Sequence, residues 1–599
     1  MIRDADLVSV QMARDLVERA DEAQKRFAAF TQEQVDAVID AVAEAATQAA
    51  EPLARHAVEE TGYGNVKDKI KKNLFSSVDV YKAIRPMRTV GILREDRENG
   101  IIEVAVPVGV VAAIIPSTNP TSTAIYKTLI SLKARNGIVH SPHPAAHGCI
   151  CTAVDIMTKA ALQAGAPEGL IGCMRNPTMA GTQELMRHPR TSVILATGGT
   201  GLVRAAYSSG KPAFGVGPGN VPAYIERTAN LRKAVADIIT GKTFDYGTLC
   251  SAEQAILADR SIKDQVIEEL RQQGAYFLSP GEIDMLGKIV ILQPAFTANP
   301  KIVGKHPAVI AEMAGIQVPS ATRVLIAPLE GVGKQFPLSA EKLSPILAFY
   351  TVENCHQAAE LATSLLRFGG LGHTCAIHSN NEEAILEFGK AVPAFRVVVN
   401  TPAVHGSIGY STRLFPAMTL GCGAVGNNIT SDNIGPQHLM NIKRIAHESR
   451  AVEPVTDHVP MPPRSFRAAA GGSVAAAPAP DRAIIARVVE QFLSQRGIPR
   501  GGGPAAASAP SRPAGPAAEE SPSGASPASA APPVAVAEFV SEADVLAAIS
   551  RREKIWIGPG TIVTPSAREI GTEKEVLIET DQMPAGRFRT SGAASSREG

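Results

Sequence analysis

Hydrophobic and polar positions follow two periods along this chain. From Leu7 to about Gly62, residues Leu7, Val10, Met12, Leu16, Ala20 and Phe27 recur near every 3.6 positions, and Thr31 with Gln34 gives a capping-box signal before a further helix. Two or three amphipathic helices are therefore predicted to open the chain. Beyond them, strand-like runs (IIEVAVPVGVVAAIIP at 101–116, GIVHSP at 137–142, SVILAT at 192–197) alternate with helical ones (TAIYKTLISLKARN at 123–136, CTAVDIMTKAALQAG at 151–165). Buried strands separated by helices predict an α/β fold with a parallel sheet covered by helices. A second α/β stretch, roughly 240–430, contains VIEELRQQGAYFL, RVLIAPL, AELATSLLRF and FRVVVNTP, so two α/β domains with a cleft between them are expected.

From about Ala468 the pattern is lost. Residues 497–537 are dominated by Gly, Pro, Ala and Ser, a composition that buries too little apolar surface to fold, and a flexible linker is predicted. Within this extension DRAIIARVVEQFLSQRG at 481–497 is an exception. Ile484, Ile485, Val488, Val489, Phe492 and Leu493 form one helical face, Asp481 can cap its start and Gly497 can end it. A last short unit, 553–579, carries the only tryptophan, Trp556, and two apolar runs separated by GPG; it is too small to be stable alone.

The 599 residues suffice for two to four domains. Lys and Arg number 59 and Asp and Glu 58, with no long basic run, which argues against a nucleic-acid partner. The seven cysteines form no close-spaced framework and no zinc or redox spacing, so a reducing cytosol and no metal are expected. No apolar run is long enough for a membrane span, and the acidic N-terminus does not read as a signal peptide.

Three stretches suggest chemistry. In FDYGTLCSAEQ (244–254), Cys250 sits between a glycine turn and a polar run, open to two readings: a nucleophile or a small buried residue. In IIPSTNPTSTAIYK (114–127), Asn119 is held between Pro116 and Pro120 just before a helix that Thr121 or Ser122 can cap. SVILATGGTGLVRAAYSSG (192–210) is a strand, a Gly-containing turn and a helix whose N-terminus can receive a pyrophosphate, although it is not G-x-G-x-x-G.

With PSTNPTSTAIYKTLISLKARNGIVHSPHP, GVGPGNVP, FDYGTLCSAEQ, EKLSPILAFY, GGLGHTCAIHS and NTPAVHGSIGYSTRLFPAMTLGCGAVGNNITSDNIGP, the chain from about residue 5 to 450 resembles the CoA-acylating aldehyde dehydrogenases. These include the aldehyde-oxidising half of the bifunctional alcohol/aldehyde enzymes. The resemblance implies the aldehyde dehydrogenase fold: N-terminal helices with a Rossmann-like cofactor domain over 1–240, a catalytic cysteine domain over 241–430, a return segment over 431–467 and a largely disordered extension over 468–599. It also implies that Cys250 attacks the aldehyde, that the Asn119 amide and the Cys250 backbone N–H hold the thiohemiacetal oxyanion, and that hydride passes to NAD. Cofactor contacts are implied at Pro116, Ser117 and Thr118, at Ser141 and His143, at the turn Thr197, Gly198, Gly199 and Thr200, at Gly217, Pro218 and Gly219, and at Glu341 and Leu343, with Glu341 on the nicotinamide ribose.

Hydrolytic relatives carry Glu-Leu-Gly-Gly-Lys upstream of the cysteine, its glutamate activating water. Here the segment is VGPGN, and Val216 takes the glutamate's slot. A thioester spared from activated water is open to a thiol, so coenzyme A is the implied acceptor. His373, in GLGHTC, resembles a family histidine near the cysteine and can take a proton from Cys250 or from CoA; a core histidine is the competing reading. Ser141 stands where hydrolytic relatives hold the adenosine ribose with lysine; NAD is expected, and this position leaves NADP open. NAD and CoA are expected to use one cleft in turn.

The extension resembles an encapsulation peptide, 481–495 docking the enzyme to microcompartment shell or cargo proteins, with folding back onto its own enzyme as the alternative. The combined expectation is an NAD-dependent, CoA-acylating dehydrogenase of propionaldehyde or acetaldehyde, a homodimer or homotetramer, cytoplasmic and inside a bacterial microcompartment. The alternatives are a hydrolytic aldehyde dehydrogenase and a shell-docking adaptor on an inactive enzyme fold.

Overall fold

The chain opens with helix α1 (Ala5–Phe27), whose N-cap Asp4 accepts from the Asp6 and Leu7 amides, and α2 (Gln32–Gln48), begun by the predicted Thr31/Gln34 capping box. α3 (Ala50–Thr61) ends at left-handed Gly62. The pattern did not reveal the next helix, α4 (Val66–Leu74), since KDKIKKN reads as solvated charge; its buried residues are Lys69, Lys72 and Asn73, one polar face turned inward. One turn of helix, α5 (Tyr81–Ile84), follows. The computed structural model describes residues 4–293, 296–452, 536–559 and 561–580. It divides into two units, Met1–Pro460 and Met461–Gly599, each described by itself.

The apolar run 101–116 is two strands rather than one. It breaks at Gly109, whose φ is +126°, into β2 (Ile101–Pro107) and β3 (Val110–Ile115). β2 is the centre of an antiparallel sheet between β1 (Gly91–Asp96) and β17 (Met440–Ala446) and is only partly buried. β3, buried at every position, is the centre of a parallel sheet. Its order is β5 (Ile171–Cys173), β4 (Gly137–Pro142), β3, β6 (Thr191–Thr197), β7 (Ala213–Val216). Helices α6 (Pro120–Lys133), α7 (His147–Gln163), α8 (Met179–Arg187) and α9 (Thr200–Tyr207) connect these strands. Every residue of α6 is buried, as expected for a helix enclosed all round.

The second parallel sheet begins earlier than the expected boundary at residue 240. Its strands are β8 (Val221–Ile225), β9 (Glu253–Asp259), β10 (Ala275–Phe277), β13 (Val324–Pro328), β14 (Ile346–Val352), β15 (Cys375–His378) and β16 (Val397–Val399). They lie in the order β10-β13-β14-β9-β8-β15-β16, with a small hairpin, β11 (Ile291–Leu292) and β12 (Thr297–Ala298), apart. Helix α10 (Leu231–Thr243) buries Ala234, Val235, Ile238 and Ile239 against Val221 and Ile256 of this sheet, so it belongs with the second sheet. No helix among the described residues is long and apolar enough to cross a membrane.

In the second unit, the fold around Trp556 starts before residue 553. Strands Phe539–Val540 and Ile562–Val563 pair in parallel, as do Ile555–Ile557 and Leu577–Glu579, with helices Glu542–Arg551 and Pro565–Glu573 between them. The core is small: Val540, Val545, Ile557 and Ala567 are its buried members. The expected docking segment 481–495 lies outside the described residues.

Candidate active site

Strands β3, β4, β6 and β7 all end at one cavity of about 530 Å³, the position where parallel α/β sheets receive ligands. After β3 come Pro116, Ser117, Thr118 and Asn119; after β4, Ser141 and His143; after β6, Thr197, Gly198 and Gly199; after β7, Val216, Gly217 and Pro218. Cys250, Glu341 and Leu343 close the wall from the catalytic half. Three of the expected site residues stand just behind this lining. Thr200 is the first residue of α9, Gly219 donates its amide to Glu341 Oε1 at 3.0 Å, and His373 sits against Cys250.

Cys250 is presented by a strained turn. Phe244–Gly247 precedes it with Asp245 and Tyr246 at φ +48° and +52°, the left-handed region that costs a non-glycine residue energy. His373, fully buried, puts Nε2 3.2 Å from Cys250 Sγ, while its Nδ1 lies 2.9 Å from Thr374 Oγ1. With the proton on Nδ1 donated to Thr374, Nε2 accepts from the thiol. Burial and the nearby Arg396 guanidinium bring His373 down to about 3. Burial and the Glu341 carboxylate push the Cys250 thiol up to about 12. The pair is therefore neutral at rest, and attack on a carbonyl must move the sulfur proton as the S–C bond forms.

Asn119 occupies the N-cap of α6, one position before the helix start and ahead of the expected Thr121 or Ser122. Its side chain makes no capping bond. Instead Oδ1 accepts from Lys72 Nζ at 2.6 Å, and Nδ2 makes long bonds to Thr118 Oγ1 (3.2 Å) and the Thr248 carbonyl (3.4 Å). Both Nδ2 hydrogens are thus engaged, in long bonds that a ligand oxygen would have to displace. Sequence reasoning missed Lys72, Lys69, Asp245 and Thr248, the polar cluster behind Asn119, because their meeting depends on tertiary structure. It also missed Thr178 and Thr182 on the far wall, where Thr182 Oγ1 pairs with Ser141 Oγ at 2.8 Å.

The lining suits a dinucleotide. The α9 N-terminus is capped by Gly199, which has no side chain to occupy the first amides, and space opens beside its Cα. Thr197 Oγ1 is buried without a partner, a donor left for a ligand. His143 Nδ1 already accepts the Ala145 amide and burial lowers its pKa, so it contributes a neutral ring to the wall. The carboxylate of the lining is Glu341, raised to about 7 by burial although the Gly219 amide opposes the rise. Val216 is buried and presents only methyl groups to the cavity.

The model of the Aldehyde dehydrogenase family matches residues 2–279. An acetylating aldehyde dehydrogenase from Geobacillus thermoglucosidasius superposes with TM-score 0.74 at 55% identity, covering 76% of this chain and 100% of that one. A propionaldehyde dehydrogenase from the Clostridium phytofermentans fucose utilisation bacterial microcompartment superposes with TM-score 0.66 at 32% identity, covering 73% and 97%. The bifunctional aldehyde-alcohol dehydrogenase AdhE of Escherichia coli (strain K12) is 45% identical over 436 residues, 72% of this chain and 49% of AdhE. This chain therefore spans about half the length of that curated relative. The chain belongs to the aldehyde dehydrogenase family and has its α/β fold.

Proposed function

We propose that this chain oxidises a short aldehyde, propionaldehyde or acetaldehyde, with NAD and hands the acyl group from Cys250 to coenzyme A. The observation that carries the reading is the reacting wall itself: a thiol hydrogen-bonded to His373 faces a cavity where Val216 stands in the slot of a water-activating glutamate. Similarity to an acetylating aldehyde dehydrogenase over that enzyme's whole length supports it.

Cys250 adds to the aldehyde carbon while His373 Nε2 takes the thiol proton. The Asn119 amide and the Cys250 N–H face the oxygen that becomes negative. The α9 N-terminus, Thr197 and Glu341 would hold NAD, which would supply the hydride acceptor. His373 gives that first proton to solvent; the resulting acyl thioester on Cys250 is then attacked by the CoA thiol as His373 accepts that thiol's proton, and Cys250 leaves and takes the proton back from His373. Glu341 Oε1 accepts the Gly219 amide at 3.0 Å, on the same cavity wall.

The test is NADH formation from propionaldehyde with and without CoA, with the product assayed as acyl-CoA or free acid. Substantial NADH only with CoA, and accumulation of the thioester, is the expected result. Free acid formed without CoA would overturn it, with Glu341 then the carboxyl on this wall able to activate water.

The enzyme acts as a homodimer or homotetramer inside a bacterial microcompartment, with 481–495 as its docking segment. What supports the docking role is the helical spacing of apolar residues in that segment's sequence and the likeness to a microcompartment propionaldehyde dehydrogenase. Removing 468–599 is expected to leave turnover intact and abolish co-purification with shells; unchanged co-purification would sink the docking role.

A further inference from the structure

Helix α4 delivers two lysines to the back of the active site. Lys72 is 4% exposed, Lys69 2%, Asp245 0% and Thr248 1%. The Lys72 ammonium has three protons and three partners: Asn119 Oδ1 at 2.6 Å, Thr248 Oγ1 at 2.9 Å and Asp245 Oδ2. Lys69 bonds Asp245 Oδ2 at 3.0 Å and the Thr118 carbonyl at 3.1 Å, and Asp245 Oδ1 accepts the Asn65 amide at 2.8 Å. Asp68 stands beside them, its Oδ2 accepting the Asp245 amide at 2.9 Å.

A carboxamide has two ends that are nearly alike in shape and opposite in hydrogen bonding. Rotating the Asn119 amide by half a turn would press its NH₂ group against the Lys72 ammonium, donor against donor. The lysine therefore allows one orientation, with Nδ2 on the side away from it, toward Thr248 and the Cys250 loop. Asn119 sits at an N-cap, where an asparagine side chain ordinarily bonds its own helix, and here that bond is not made.

We propose that Lys72 is a positioning residue: its ammonium fixes the Asn119 carboxamide so that Nδ2 faces the oxygen that turns negative when Cys250 adds to the aldehyde. The inference rests on the proposed role of Asn119 as oxyanion donor. Two further features agree with it. Burial draws the Lys72 ammonium down to about 8, so it still carries its proton at neutral pH. A cation at Oδ1 polarises the amide and strengthens its N–H donors.

The competing role is a buried ion pair that only shapes the 244–250 turn, and a mutant cycle on the full-length enzyme separates the two. N119A is expected to lower kcat by about 10²–10³-fold, the usual loss of an oxyanion donor. K72M is expected to lower kcat by about 10–100-fold with little change in aldehyde KM, because only transition-state stabilisation is lost. Iodoacetamide labelling of Cys250, an attack with no oxyanion to stabilise, should keep its wild-type rate in K72M. The double variant K72M/N119A should be no slower than N119A. If the two losses multiply, or if K72M turns over at the wild-type rate while N119A is slow, the positioning role is wrong and the oxyanion reading stands. If N119A itself keeps wild-type turnover, both fail. Should K72M fold poorly, K72M/D245N, which removes both charges, replaces it with the same expected readings.

Discussion

Cys250 and His373 meet at 3.2 Å with the thiol raised to about 12 and the imidazole lowered to about 3, so between these values neither carries a charge. Because the thiol lies far above the working range, its thiolate fraction grows with pH throughout that range. Iodoacetamide labelling of Cys250 in ligand-free enzyme is expected to accelerate about tenfold per pH unit from pH 6 to 9 with no plateau. An inflection near pH 6.5 would mean that His373 titrates normally and holds an ion pair. Gly219 is a second residue with a definite demand, since a Cβ there would overlap the Cys250 carbonyl oxygen, whereas Gly199 has nothing within 4 Å of its Cβ position. Gly219→Ala should therefore cost about 1–3 kcal/mol of stability, measured by urea unfolding, together with turnover. Gly199→Ala should stay within about 0.5 kcal/mol. Cys250, Asn119 and the glycine turns, which line one cavity, were legible as candidates because each lies in a short motif. Lys72 was not, because an interior lysine and a solvated one look alike in sequence.

At the scale of elements, α6 carries the arrangement by joining β3 to β4 and presenting Asn119 at its first turn. Leu129, fully buried on it, is expected to cost about 2–5 kcal/mol as Leu129→Ala, read from the urea midpoint. Leu7→Ala on α1, where the side chain is 57% exposed, should change stability by less than about 0.5 kcal/mol. Equal costs at the two sites would show that α6 is not the packed centre of this sheet. Element types were readable from periodicity, and Thr31 with Gln34 marked the α2 start to the residue. The partition of 101–116 was not, because an apolar run looks the same whether it crosses one sheet or passes between two. The boundary near residue 240 failed for a similar reason: α10 is amphipathic either way, and only packing shows that it covers the second sheet.

For the whole molecule, the cavity that reaches Cys250 from the first parallel sheet must serve NAD and CoA in turn under the proposed reaction. Steady-state rates measured over both substrates are then expected to give parallel double-reciprocal lines; intersecting lines would mean that both occupy the enzyme together. The 536–580 unit has its own parallel strand pairs but a core of few buried residues, so on its own it is expected to melt at low urea without a sharp transition.

By itself the sequence determined the α/β class and the order of most helices and strands, and its family motifs pointed to Cys250 as the proposed nucleophile and to Val216 in the slot of a water-activating glutamate. Those features are written in periods and motifs a few residues long. Only the tertiary structure decided that His373, 123 residues from Cys250, touches its sulfur, and that Lys72, 47 residues from Asn119 and 173 from Asp245, is buried between them. The physical reason is that a side chain's burial, and with it its charge and its partners, depends on segments far apart in the chain that only the packed sheets bring together.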